Sequence, residues 1–518
     1  MKAQFFARFV LCLMMALLAS SATALLWRAS LSGAGVPIGV NATRPVVAQV
    51  TQEAPPTSLN DSFPAAQQAT ALNVELVGGY TTWGAVDVAV QGNFAYVADL
   101  GQGLRIIDIA DPANPQEIGA FDTYWARAVA VDANYAYIAD DKEGLRIINI
   151  AQPANPTAVG QVETLFDAYG VAVAGNMAYL AVSDGTLEIV RISDQTWFSY
   201  CDPGCWVVHG RDVAVRWPYV YLAGEPFTGL SVIDVTNPVS PTQVGGPTVS
   251  DGVGVVLVER QSRLYAYMAA KGAGLEIIEV TDPVSPTVLG AFDTLDAQDV
   301  AAAGNYAYVA DGNRGLRVID VADPTHPAEV GYYIPPNLNH WANGVAVVGN
   351  FVYVAEDKAG LQVYWFVPPA VATISVNGGI LTSAADNATL TFPAGAFTTP
   401  AVITYVVRYP GNVPAAGDFD TTGHVYEVTA VDAGTGQPAT LAPGHTYTVV
   451  VPYTGEDLNG AAENSLALYY WNGSQWMREP TSVVNTANNT VTATPDHFSV
   501  WAMLGSATKQ VYLPLVTQ

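Results

Sequence analysis

Gly92-Asn93-Phe94-Ala95-Tyr96-Val97-Ala98-Asp99 decides the architecture, because variants of it recur along the chain with the tyrosine at Tyr137, Tyr179, Tyr221, Tyr267, Tyr308 and Tyr353. The intervals are 41 to 46 residues. A small-residue strand, Asp87-Val88-Ala89-Val90, precedes the motif, and a Gly-containing turn and the strand Gly103 to Ile109 follow it. The loop Asp111-Pro112-Ala113-Asn114-Pro115 then leads to a fourth strand, Glu117 to Phe121. Four short antiparallel strands repeating near 42 residues, separated by Gly, Asn and Pro turns, make one propeller blade. The expected fold is therefore all-β, with a seven-bladed β-propeller of four-stranded antiparallel blades over residues 73–367. Small Val and Ala in the first strand suit the crowded centre.

Counting strands shows how the ring closes. Leu76-Val77-Gly78-Gly79-Tyr80 matches a fourth strand but precedes the first complete copy, and the last copy stops at Phe366 without one. The N-terminal strand is expected to complete the seventh blade, which pairs both exposed edges. The third strands Leu104-Arg105-Ile106-Ile107-Asp108, Leu145-Arg146-Ile147-Ile148-Asn149, Leu230-Ser231-Val232-Ile233-Asp234 and Leu316-Arg317-Val318-Ile319-Asp320 resemble the LVIVD-repeat family of bacterial and archaeal surface proteins. That resemblance implies an exported propeller and assigns no activity. The copy around Thr186-Leu187-Glu188-Ile189-Val190 departs most, because it lacks the Asp-Pro loop.

Pro368-Pro369 marks a boundary, and residues 370–505 read as a β-sandwich. Its expected strands are Ala372 to Val376, Ala388 to Phe392, Ala401 to Arg408, His424 to Val431, Thr446 to Val451, Ser465 to Trp471, Thr490 to Thr494 and Phe498 to Leu504. Gly379-Ile380-Leu381 and Leu390-Thr391-Phe392-Pro393-Ala394-Gly395-Ala396-Phe397 resemble the sandwich domain of ankyrins and netrin receptors. His497-Phe498-Ser499 resembles the site at which some of those domains cleave themselves; the plainer reading is a core strand starting at Phe498 with His497 at its rim. Residues 506–518 are a short tail.

Lys2 and Arg8 ahead of the apolar run Phe9 to Leu18, with Ala22-Thr23-Ala24 after it, read as a signal peptide over residues 1–24. Leu25, Leu26 and Trp27 extend the run and leave an uncleaved anchor as the alternative. Either reading places the remainder outside the cytoplasm, secreted or on the cell surface. Residues 25–72, rich in Ala, Thr, Pro, Gln and Ser without apolar periodicity, have the composition of a disordered linker. In an oxidising compartment Cys201 and Cys205, in the turn Cys201-Asp202-Pro203-Gly204-Cys205, point to a local disulfide. A metal site joining His209 is the alternative, and it lacks a nameable fourth ligand. With 46 acidic residues against 20 basic and a net charge of -26, the chain repels nucleic acid and anionic membranes.

Strand alternation puts the fourth-to-first and second-to-third loops of every blade on one face. The candidate ligand set there is Trp83, Tyr124, Trp125, Arg127, Tyr169, Arg211, Asp296, His340 and Trp341, with Phe166, Asp251, Gln298 and Asn343 in the same loops. Aromatic rings beside carboxylates and Arg can stack on a sugar or grip a peptide; the alternative is packing between blades. Asp99, Asp140, Asp311 and Glu356 end second strands ahead of Gly turns, which reads as hairpin chemistry, with Ca²⁺ ligation as the alternative. Asp108, Asp234 and Asp320 are expected to cap the Pro loops. No Ser/His/Asp constellation, paired-His metal motif or recurring carboxylate pair appears, so neither an enzyme nor a cofactor is expected. The function expected is a binding or adhesion module for an extracellular glycan or protein. A polysaccharide hydrolase or lyase, or a structural envelope component, is the alternative.

Overall fold

The computed structural model describes residues 70–200, 209–225, 229–247, 250–336, 340–414, 419–458 and 461–506. The signal segment and Cys201 and Cys205 lie outside them. Seven four-stranded antiparallel units follow the repeat, at residues 87–121, 128–162, 168–200, 209–245, 254–292, 299–334 and 344–366, the last completed by Val74–Tyr80. They are blades 1 to 7 below. No helix among the described residues is long and apolar enough to cross a membrane.

The second strand is nearly continuous in apolar residues because both its faces are covered. Ala95 and Val97 pack towards blade 7 with Tyr353 and Val363, whereas Tyr96 and Ala98 pack towards blade 2 with Ile138 and Ile148. The core is thus a ring of interfaces, and the seven repeat tyrosines are each at most 4 % exposed within it. Inter-blade approach also explains a glycine in the fourth strand. A Cβ on Gly119 would sit 2.0 Å from the Pro153 carbonyl oxygen of the next blade's Gln152-Pro153 loop, so a bulge without a side chain admits that loop. The Asp caps form as expected: Asp108, Asp234 and Asp320 accept the amides of Ala110, Thr236 and Ala322 at 2.8–2.9 Å.

Val74–Tyr80 pairs with Gly360–Phe366, from Val74 opposite Phe366 to Tyr80 opposite Leu361. Thr70–Leu72, placed by composition in the linker, forms a fifth strand on blade 6 opposite Tyr332 to Ile334. That ladder covers the blade's outer edge, an interaction composition does not register.

The C-terminal unit is two sheets. One runs in the order Ala370–Ile374, Ala401–Val407, Phe419–Asp432, Val500–Ser506, Ala467–Trp471, Trp476–Arg478; the other runs Gly379–Thr382, Thr389–Phe392, Thr448–Pro452, Thr490–Ala493, Val483–Asn485. Phe392, Phe397, Tyr405, Tyr426, Tyr447 and Trp501 fill the space between them. Gly379–Thr382, Trp476–Arg478 and Val483–Asn485 are strands that the sequence reading did not count. The unit meets the propeller at the closing strand. Arg408 lies between Glu75 at 3.4 Å and Glu427, and Asn412 donates to the Leu76 carbonyl at 2.9 Å.

Candidate functional site

The fourth-to-first loops are held from beneath by buried carboxylates. Asp99 accepts the amides of Trp83 (3.3 Å) and Gly84 (2.5 Å), and Asp140 those of Tyr124 (3.1 Å) and Trp125 (2.6 Å). Asp311 accepts the amide of Asp296 at 2.8 Å. These aspartates are at most 1 % exposed; their backbones close the Gly-containing hairpins, where the amides of Gln102, Glu143 and Arg314 donate to the carbonyls of Asp99, Asp140 and Asp311, while their side chains turn inward and position the candidate loops. Both oxygens of Asp99 and of Asp140 accept from amides, as does Asp311 Oδ1, and among the described residues no group of three or more His, Cys, Asp or Glu could hold a metal ion.

Blades 3 and 5 have Val182 and Ala270 in place of that aspartate and keep the clamp by another route. The third-strand position occupied by Arg105 in blade 1 becomes Glu188 or Glu276, which accept the amides of Leu165 (3.3 Å) and Ser250 (3.4 Å). Burial, opposed by the Leu165 amide, pushes Glu188 up to about 7. The exchange between the two positions is a signal visible only when the copies are aligned.

On this foundation the candidate residues fall into three groups. Arg127, Tyr169 and Arg211 occupy the same position in consecutive blades, at the entry to the first strand, and converge at the mouth of the central channel. The Tyr169 ring lies between two guanidinium groups, with Arg127 Cζ 4.4 Å and Arg211 Cζ 4.8 Å from its centroid. Arg127 Nε also meets Asp141 at 2.9 Å. With Lys271, Gln298 and Asn343 these side chains line a cavity of about 310 Å³. Lys271 was missed in the sequence; it occupies a second-to-third turn at φ 43°, a place that carries Leu100 in blade 1 and Gly312 in blade 6.

The second group is an aromatic rim. Trp83 and Trp125 meet edge to face at 6.3 Å, and a Cβ on Gly101 would come within 3.9 Å of both rings. Trp83 and Tyr124 are 56 % and 51 % exposed. The third group lies in the loops that enter blades 6 and 7, where Trp341 and Asp296 both approach Gly312, with Asp296 bonded to Gln298 at 2.7 Å. His340 instead turns to the buried Glu356, 3.5 Å from Nδ1, and that carboxylate holds the imidazole above its usual range.

One residue further in, Asp87, Asp212 and Asp299 face the channel from blades 1, 4 and 6. Each spans to the next blade: Asp87 accepts Val129 N, Asp212 Val255 N and Asp299 Val345 N, all at 2.8 Å. The preceding blade carries glycine at the equivalent place, since a Cβ on Gly344 would lie 2.6 Å from Asp87 Cα. Accessible surface leaves the three half-buried, but water in so narrow a channel solvates a carboxylate poorly. Burial, with Asp299 next, pushes Asp87 up to about 7 and Asp212 up to about 8, and burial raises Asp299.

Unfolded carboxyls titrate near 4. The folded chain therefore keeps protons that the unfolded chain releases, and this stability is lost as pH rises from about 4 towards 8. The propeller should melt several degrees higher at pH 5 than at pH 8.5, and Asp212→Asn should flatten that dependence. A higher melting temperature at pH 8.5, or an Asp212→Asn slope equal to wild type, would refute the assignment.

In the sandwich, the Ser499 hydroxyl donates to the Trp471 carbonyl at 3.1 Å, and Phe498 stacks on Phe397 and Tyr447 at 6.2 and 5.5 Å. His497 packs against Tyr470 and Trp501 at 4.5 and 5.3 Å. The hydroxyl is thus committed to a neighbouring strand, and Phe498 is a core residue.

Seven blades around a channel whose mouth gathers one loop residue from each define a β-propeller with a C-terminal sandwich-like unit. More particularly, the seven units are similar to one repeat family: the model described as "LVIVD repeat" matches residues 84–123, 125–164, 167–199, 209–246, 262–294, 296–334 and 341–363. No curated protein matches the chain. Among solved structures it is similar to U3-55K, at 10 % identity over 57 % of this chain and 98 % of that one, with a TM-score of 0.46. The β-propeller domain of Myceliophteria thermophila Cps50 (Swd1) gives 11 %, 57 %, 100 % and 0.46 for the same quantities. The WD40 repeats of RRP9 give 10 %, 58 %, 100 % and 0.45.

Proposed function

We propose that the chain is a non-catalytic binding module, secreted or held at the cell surface, that takes a glycan at the channel mouth. The observation that carries this reading is the convergence of Arg127, Tyr169, Arg211 and Lys271 on one cavity, beside exposed tryptophans. In a chain with only 20 basic residues, three meet on a single axis. An acidic sugar fits: its carboxylate meets guanidinium and ammonium donors while its apolar face stacks on a ring. The net charge of -26 works against a polyanion, which favours an isolated carboxylate. The sandwich-like unit, with its resemblance to the ankyrin and netrin-receptor domain, serves as spacer or attachment.

A protein ligand on the same face is the second reading, favoured by the exposed Tyr124, Leu165 and Leu295. Glycan-array binding of the wild-type chain and of Trp125→Ala, Trp341→Ala and Arg211→Ala separates the two. The glycan reading expects a uronate-bearing hit that weakens roughly tenfold or more in at least two variants. Hits indifferent to all three substitutions, or no hit, would remove it.

A further inference from the structure

Blade 4 departs from the other copies at a point where the fold asks for nothing large. The turn between first and second strands is Gly92-Asn93 in blade 1, and Ala133, Gly175, Gly304 and Gly349 hold the same first position with φ between 50° and 60°. A Cβ at any of Gly92, Gly175, Gly304 or Gly349 would meet nothing within 4 Å, so these tips stand in open space. Blade 4 places Trp217 there, 64 % exposed. An indole left in water does little for folding, and the sister copies show that the turn closes without it.

Trp217 lines a cavity of about 200 Å³ between blades 4 and 5, floored by Tyr221, Leu264 and Val280. Two ion pairs reach its rim through Arg216, Glu259 and Arg263. Arg216 and Glu259 join the two blades at 3.1 Å, and Arg263 meets Glu279 at 3.2 Å. Two cations and two carboxylates cancel, unlike the cationic channel mouth. The first-to-second turns lie at the opposite end of the blades from the fourth-to-first loops, so the two sites face away from each other.

We propose that this cavity binds one ring of a neutral glycan stacked on Trp217, as a second site independent of the channel mouth. Its volume is below the ~300–1,000 Å³ that drug-sized ligands fill, which suits a single ring. A pyranose offers an apolar face to the indole and hydroxyls that both donate and accept, and a rim of guanidinium donors and carboxylate acceptors satisfies both roles. A charged ligand would meet a like charge on either side. A proline ring could stack on the indole but would leave the ion pairs without hydroxyl partners. Occupied at both ends, the propeller would join two glycan strands.

The test is saturation-transfer NMR and tryptophan fluorescence on the full chain with millimolar cellobiose, maltose and N,N′-diacetylchitobiose. At least one should bind saturably to the wild type and equally to the double variant Trp125→Ala/Trp341→Ala. The same sugar should bind roughly tenfold or more weakly to Trp217→Ala and to Glu259→Gln, which breaks the rim without touching the turn. No saturable binding, unchanged affinity in both variants, or Trp217-dependent binding of decaproline in place of the sugars would overturn the proposal.

Discussion

A chain that starts at Gly84 is expected to melt roughly 10 °C below one that starts at Ala69. The missing segment holds the outer strand of blade 7, paired from Val74 to Tyr80 with Phe366 to Leu361, and the short strand Thr70–Leu72 that covers blade 6. Val74 is 3 % exposed, and Leu76, Val77 and Tyr80 pack against the neighbouring clusters. At ~1.5–3 kcal/mol for a fully buried side chain, and less for the half-buried ones, this packing amounts to about 5 kcal/mol. Each kcal/mol shifts the melting point of a domain of this size by about 2 °C. The deletion also strips the edge of Gly360–Phe366, leaving unpaired amides beside Tyr364 and Phe366, so the shortened chain should aggregate on heating. Equal melting temperatures would mean that the ring closes in some other way.

Arg408→Met is the second substitution with a large expected effect, a loss of about 3 kcal/mol. Arg408 stands between Glu75 of the closing strand and Glu427 of the sandwich, and burial already raises Glu75 against the pull of that arginine. Removing the guanidinium leaves two largely buried carboxylates without their cation. The Arg408 side chain retains 24 % exposure, which sets the expectation at the low end of the range for broken buried pairs. Adding Glu427→Gln should restore part of the loss. A fall below about 1 kcal/mol would show that solvent screens the cluster as it does a surface pair.

Both expectations begin from features legible in the sequence. The seven tyrosines at near-equal spacing gave the blade count, and a surplus fourth strand ahead of the first copy, with none after the last, gave the closure. Trp476–Arg478 and Val483–Asn485 were not legible, because three-residue strands at sheet edges are too short to show an alternating pattern. The candidate face was legible as a set of loops, since strand alternation alone assigns loops to faces. Its internal arrangement was not. Arg127, Tyr169 and Arg211 become neighbours only because rotation about the channel superposes one repeat position from successive blades, and their different residue types form no motif. Lys271 escaped for the same reason. The inward turn of Asp99 and Asp140 was hidden because Asp before a Gly turn has an adequate local explanation.

The most direct test is a crystal structure of the chain soaked with a uronate-bearing oligosaccharide selected on the array. Density is expected over the channel axis, with a carboxylate within hydrogen-bonding distance of Arg211 or Lys271 and a sugar ring against Tyr169 or Trp125. A ligand seated only between blades, on the sandwich or on the opposite face, with the channel mouth empty, would contradict it.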